Sequence, residues 1–126
     1  MTKEIIHTEK APVAIGPYSQ AVRCGNMVFT SGLIPLNPVN GEIVSEDVAE
    51  QALQVIKNLE AVLEAAGSSL DKVIKTTVFI KDMSNFSQIN EIYARFFKVN
   101  PPARSTVEVA RLPRDAKIEM EVIALI

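Results

Sequence analysis

Residues 48–98 read VAEQALQVIKNLEAVLEAAGSSLDKVIKTTVFIKDMSNFSQINEIYARFFK, and this stretch decides the fold. In its first part Ala52, Val55, Ile56, Leu59, Val62, Leu63 and Ala66 recur at steps of three and four, which draws one apolar stripe and predicts a helix over 48–66. Asp47 stands at the capping position with Glu50 three residues on, the capping-box spacing, and Gly67 supplies the stop. Residues 73–80, VIKTTVFI, are β-branched and aromatic and predict a strand. A second helix is expected over 85–98, capped by Ser84 or Asp82, with Phe86, Ile89, Tyr93, Phe96 and Phe97 on its inner face and Pro101-Pro102 ending it.

Working outward, residues 3–7 (KEIIH) read as a short strand and AIGPYSQ (14–20) as a loop punctuated by Gly16 and Pro17. AVRC (21–24) and MVFTSG (27–32) flank Gly25-Asn26, a hairpin signal, and PLNPVNGE (35–42) is a second loop. On the C-terminal side ARSTVEVA (103–110) and KIEMEVIALI (117–126) read as strands joined by the turn RLPRDA (111–116). A simple hairpin of these two sets residue 108 opposite 119 and 104 opposite 123, which leaves Arg104 and Glu119 roughly 13 Å out of register. Two helices separated by a strand, among five or six strands, give an α+β fold: one domain over residues 1–126, a mixed sheet with both helices on one face. In the last strand Ile118, Met120, Val122, Ala124 and Ile126 share one face, while Ile123 and Leu125 follow Glu119 and Glu121 on the other. Two helices cannot easily cover both faces, so the uncovered face is expected to pack against other copies of the chain.

A chain of 126 residues is long enough to bury a core without disulfide or metal. A formal net charge of −2 argues against retention by nucleic acid or an anionic membrane through bulk charge. One cysteine, Cys24, excludes an internal disulfide and a Cys-x-x-Cys pair; one histidine, His7, excludes a histidine-rich metal site. No apolar run of signal-peptide or membrane-spanning length is present, so the expectation is a soluble, cytoplasmic, metal-free protein.

Arg104 opens a strand directly after Pro101-Pro102-Ala103 and shares a face with Thr106 and Glu108. It is either a surface arginine paired with a carboxylate or a bidentate clamp for a substrate carboxylate, a task that guanidinium geometry suits. Glu119 interrupts an otherwise apolar strand; it is either exposed at a strand edge or a general base whose pKa burial has raised. Asn90 falls on the apolar side of its helix, Tyr18 follows Gly-Pro in a loop, and Ser31 precedes a glycine. Each is as well explained by satisfied backbone or a lid over the core as by ligand contact.

The stretch PPARSTVEVARLPRDAKIEMEVIA (101–124) resembles the signature of the RidA (YjgF) family of imine deaminases. The resemblance extends to AIGPYSQAV (14–22), GNMVFTSGLIPLNP (25–38), EAAGSSLDKVIKTTVFIKDM (64–83) and FSQINEIYARFF (86–97), nearly the whole chain in order. It implies a chorismate-mutase-like fold, a homotrimer with ligand sites between subunits, and no cofactor. It also implies hydrolysis of 2-imino acids such as 2-iminobutanoate and 2-iminopropanoate, or their enamines, to 2-keto acids and ammonia. By motif, the family's carboxylate-binding arginine falls on Arg104 and its catalytic glutamate on Glu119; ligand contacts fall on Tyr18, Ser31, Gly32, Asn90 and Thr106. Two departures stand out. Thr106 occupies a position where many members carry cysteine, so the site has no thiol, and Leu33 stands where many carry glutamine. The second is expected to make the pocket mouth more apolar and to shift preference toward longer side chains. A non-catalytic 2-keto-acid-binding regulatory trimer is the alternative, and an RNA-cleaving role is disfavoured by charge.

Overall fold

The computed structural model describes residues 2–126. Six strands, β1 (Lys3–Ile6), β2 (Ala21–Cys24), β3 (Met27–Thr30), β4 (Val73–Ile80), β5 (Ala103–Glu108) and β6 (Ile118–Leu125), form one mixed sheet in the order β1-β2-β3-β6-β4-β5. Helices α1 (Val48–Ala65) and α2 (Phe86–Phe96) lie on one face. Among the described residues no helix is long and apolar enough to cross a membrane.

The α1 stripe buries Ala52, Val55, Ile56, Leu59, Val62 and Leu63 against the sheet. Asp47 Oδ2 accepts from Glu50 N at 2.9 Å. The return half of the capping box is absent, because Asp47 N donates to Ser45 Oγ instead. Gly67 ends the helix at φ +84, a left-handed turn that glycine adopts without a Cβ clash. Asp82 caps a 3-10 turn over Met83–Asn85 that leads into α2. The apolar side of α2 carries Ile89, Ile92, Tyr93 and Phe97, with Phe86 and Phe96 half-buried beside them.

The expected C-terminal hairpin does not form. β4 lies between β5 and β6, parallel to β5 and antiparallel to β6. The α2 segment supplies the long crossover that a parallel pair requires. Burial explains the order. β6 alternates fully buried Ile118, Met120, Val122 and Ala124, which suits a central position. β5 is largely exposed and polar, as an edge strand should be.

In β4, Thr76, Val78 and Ile80 turn toward the helices, and in β6 Ile118, Met120 and Val122 do the same. The opposite face has no helix over it. Phe29, Val107 and Leu125 are exposed there at about 40% each, and Ile5, Val22, Phe29 and Ile123 stand in register across four strands.

Candidate active site

Register places Arg104 beside Thr76, on the helix side of the edge strand. Thr76 is fully buried, and its hydroxyl pairs with the Tyr93 hydroxyl at 2.8 Å, which fixes that ring under the arginine. The guanidinium carbon lies 4.7 Å from the Tyr93 ring centroid and 5.4 Å from that of Phe86. Arg104 Nη1 donates to Asn90 Oδ1 at 2.7 Å. No carboxylate pairs with Arg104 among the described residues. An open cleft of about 400 Å³, walled by Asn90, Tyr93, Phe97, Pro101 and Pro102, lies before it. The group is thus a stacked, oriented cation whose remaining donors face solvent.

Glu119 pairs with Phe79, so it points to the opposite face of the sheet from Arg104. The two are also three rungs apart with β4 between them, a Cα separation of about 14 Å from strand spacing and rise. Within one chain the sheet itself separates Arg104 from Glu119.

A bulge shapes the Glu119 side. Met27, Val28 and Phe29 pair regularly with Leu125, Ala124 and Ile123, and Val122 N then donates to Thr30 Oγ1 at 3.0 Å. Pairing resumes at Leu33 opposite Met120, with one extra residue on the Thr30–Leu33 side. Ser31 and Gly32 are pushed out over Glu119 as a result. A Cβ on Gly32 would lie 2.8 Å from Glu119 Oε2 and 2.9 Å from its Cδ, so the carboxylate rests in the space that glycine leaves. Burial first, and the neighbouring Glu121 second, hold the Glu119 carboxyl above the ordinary carboxylate range. Its cleft, about 430 Å³, is lined by Ile15, Tyr18, Ser31, Gly32, Ile34 and Pro113.

Ser31 Oγ donates to Ser19 O at 2.6 Å and Ser31 N to Gln20 O at 2.9 Å, tying the bulge to the Tyr18 loop. Tyr18 is half-exposed, and its hydroxyl accepts from Ile15 N at 3.4 Å. The structure therefore sorts the seven candidate residues into two groups. Tyr18, Ser31 and Gly32 gather around Glu119, and Asn90 gathers with Arg104. Thr106 shares the Arg104 face, but its hydroxyl is buried, has no hydrogen-bond partner, and does not line the Arg104 cleft.

Sequence reasoning overlooked Gln20. Its side chain is 2% exposed and locks the N-terminal loop: Oε1 accepts from Thr8 N at 2.7 Å, and Nε2 donates to the carbonyls of Thr8, Ala11 and Pro12. An amide between a loop and a strand start carries little signal by itself. Ile15, Ile34 and Pro113, which complete the Glu119 cleft, come from three separate loops that no local pattern links.

Residues 8–126 match the family model described as Endoribonuclease L-PSP. The chain belongs to the RidA (YjgF) family. Among its RidA-family relatives, Reactive Intermediate Deaminase A, chloroplastic, of Arabidopsis thaliana is 51% identical over 122 residues, covering 97% of this chain and 65% of that protein. A solved structure of a member of the conserved Rid protein family from Yersinia pestis is 51% identical, with a TM-score of 0.96 over 99% of this chain and 100% of that one. The crystal structure of E. coli TdcF with bound serine is also 51% identical, with a TM-score of 0.93 over 98% of both chains. The six-stranded mixed sheet with two helices is thus the fold of RidA-family structures.

Proposed function

We propose that this chain hydrolyses 2-imino acids to 2-keto acids and ammonia at a site that two copies complete. The observation that carries the reading is the division of the site. A carboxylate clamp without a carboxylate stands on one face of the sheet, and a half-buried base stands on the other. Each half opens into its own shallow cleft, and the apolar open face of the sheet supplies a surface on which copies associate as a homotrimer. The name of the Arabidopsis relative and the serine in TdcF support a small amino-acid-like ligand.

In this reading Arg104, steered by Asn90 and stacked on Tyr93, holds the substrate carboxylate through two parallel hydrogen bonds and thereby fixes the imine carbon. Glu119 of the neighbouring copy removes a proton from water as the oxygen bonds to that carbon, then passes the proton to the nitrogen, giving a carbinolamine. It next takes the carbinolamine hydroxyl proton and delivers it to nitrogen as the C–N bond breaks. One water is consumed, one ammonia leaves, and Glu119 returns to its starting state. A base with a raised pKa suits both directions of transfer near neutral pH. Tyr18, Ser31 and Gly32 shape the cleft around that step.

The test is complementation. Arg104→Ala and Glu119→Gln are each expected to lower kcat/KM by about 10²–10⁴-fold for 2-iminobutanoate generated by a threonine dehydratase. Co-refolding the two inactive proteins should restore activity, because about a quarter of the sites in a random mixed oligomer carry both intact halves. Verified mixed oligomers that stay inactive would sink the two-copy site. Wild-type oligomers that bind 2-ketobutanoate yet turn over no imine would leave a regulatory binder.

A further inference from the structure

Behind the Glu119 cleft lies a second cavity of about 240 Å³. The two share Ile15, Tyr18, Gly32, Ile34 and Pro113, so five of the seven residues lining the cleft also line the cavity. The remaining wall is apolar: Pro12, Val13, Leu33 and Leu36. The one buried amide there, Gln20, already has its oxygen and its nitrogen engaged by loop backbone. Arg114, at the rim, is exposed and donates to Gly41 O at 3.2 Å. The buried side chains of the wall therefore offer a ligand no free hydrogen-bonding group. A hydroxylated or charged chain would lose its water without replacement, whereas an alkyl chain would gain by entering. The volume is smaller than a whole-ligand pocket and suits one side chain.

We propose that this cavity receives the side chain of the substrate, so that aliphatic 2-imino acids with longer or branched chains are preferred over 2-iminopropanoate. The inference rests on the reading of the Glu119 cleft as the hydrolytic site. With the imine carbon above Glu119, the side chain passes Gly32, which has no side chain to block the way, and enters between Ile34 and Tyr18. Leu33 sets the floor. Its backbone is pinned by reciprocal bonds with Met120, N to O at 2.9 Å and O to N at 3.1 Å, and its side chain is 6% exposed.

The experiment compares kcat/KM for 2-iminopropanoate, 2-iminobutanoate and 2-imino-4-methylpentanoate, each generated in situ by an amino-acid oxidase, on the intact oligomer. Expected is a rise of about fourfold per methylene group until the cavity is full, the transfer free energy of a buried CH2. Val13→Phe narrows the cavity from its exposed side, and Val13 is not itself among the residues lining the Glu119 cleft. It should lower kcat/KM for the branched substrate at least about tenfold more than for 2-iminopropanoate. Calorimetric affinities for pyruvate and 4-methyl-2-oxopentanoate form an arm independent of turnover and should follow the same order. Hydrolysis of all three imines at equal efficiency, or an equal loss on all in Val13→Phe, overturns the proposal. If no imine is hydrolysed, the hydrolytic reading fails, and the keto-acid affinities alone decide the cavity: tighter binding of the branched acid upholds it, equal binding overturns it.

Discussion

On the helix side of the sheet the Arg104 guanidinium is fixed by an amide and two rings that touch it. On the open side the Glu119 carboxylate sits in a slot left by a glycine, among groups that do not neutralise it. The first group is mature in a single chain: oriented, stacked and wetted. The second is kept uncomfortable, since burial and Glu121 both penalise its charge. In the proposed reaction Arg104 is the clamp and Glu119 the base: a clamp needs geometry, and its charge never changes. A base must be ready to take a proton, and a favourable partner would lower its pKa and weaken it. The two halves also differ in what they tolerate. Removing a contact should damage the clamp, whereas adding an atom should damage the base.

The largest effect that would break this contrast is at Gly32. Gly32→Ala places a methyl group where the Glu119 carboxylate lies, and the atoms it meets are the far end of a flexible side chain. The carboxylate should swing outward, so stability is expected to change little while kcat falls by about tenfold or more through misplacement of the base. Once better solvated, Glu119 should titrate closer to an ordinary carboxylate, and the acidic limb of the kcat profile should move to lower pH. Carbon-13 spectra of the labelled glutamate carboxyl would report the same shift without turnover. An unchanged limb and an unchanged kcat would show that the glycine slot does not set the base.

The clamp side offers a second, smaller test at Thr106, whose buried hydroxyl has no partner. Thr106→Val keeps the β-branched shape and deletes the unsatisfied group, which should raise stability by about 1 kcal/mol. For a domain of this length that is an upward shift in Tm of about 4 °C. Weaker binding of 2-ketobutanoate with no gain in Tm would show instead that the ligand supplies the missing partner.

Much of this contrast was legible in the sequence, but unevenly. The α1 stripe, the 73–80 strand and the Gly25-Asn26 turn are local signals, and they stand where periodicity puts them. Parity alone grouped Arg104 with Thr106, because alternation along one strand survives any choice of neighbour. What parity cannot give is which strands pair. The hairpin expected between 103–110 and 117–126 failed because a short connection favours adjacency, while the apolar alternation of β6 and the polar surface of β5 demanded centre and edge. That error also hid the opposite facing of Arg104 and Glu119, which depends on both strands being measured against β4. The Ser31-Gly32 bulge was equally hidden, since a single extra residue shows only against its partner strand. For Glu119 the sequence left two readings open, exposure at a strand edge or a pKa raised by burial; the pKa is raised, and burial is its leading cause.

That raised pKa gives the smallest effect, on stability rather than rate. The folded chain holds a proton on Glu119 at pH values where the unfolded chain has released it. Stability therefore falls as pH rises from the ordinary glutamate range through the raised value, and it stays lower above it. Glu119→Gln removes this titration. The variant should be more stable than wild type at about pH 8, and the difference should vanish at about pH 3, below the ordinary glutamate range, where both states of the wild type are protonated. The gain should be modest, because the carboxylate is only partly buried and solvent screens it. Urea midpoints at the two pH values, taken at one protein concentration so that association stays fixed, would measure it. An advantage for the variant that persists unchanged at the acid end would assign it to packing rather than charge. A loss of stability at the alkaline end would mean that association supplies Glu119 with a cation it lacks in the single chain, and Arg104 of a second copy would be the first to examine.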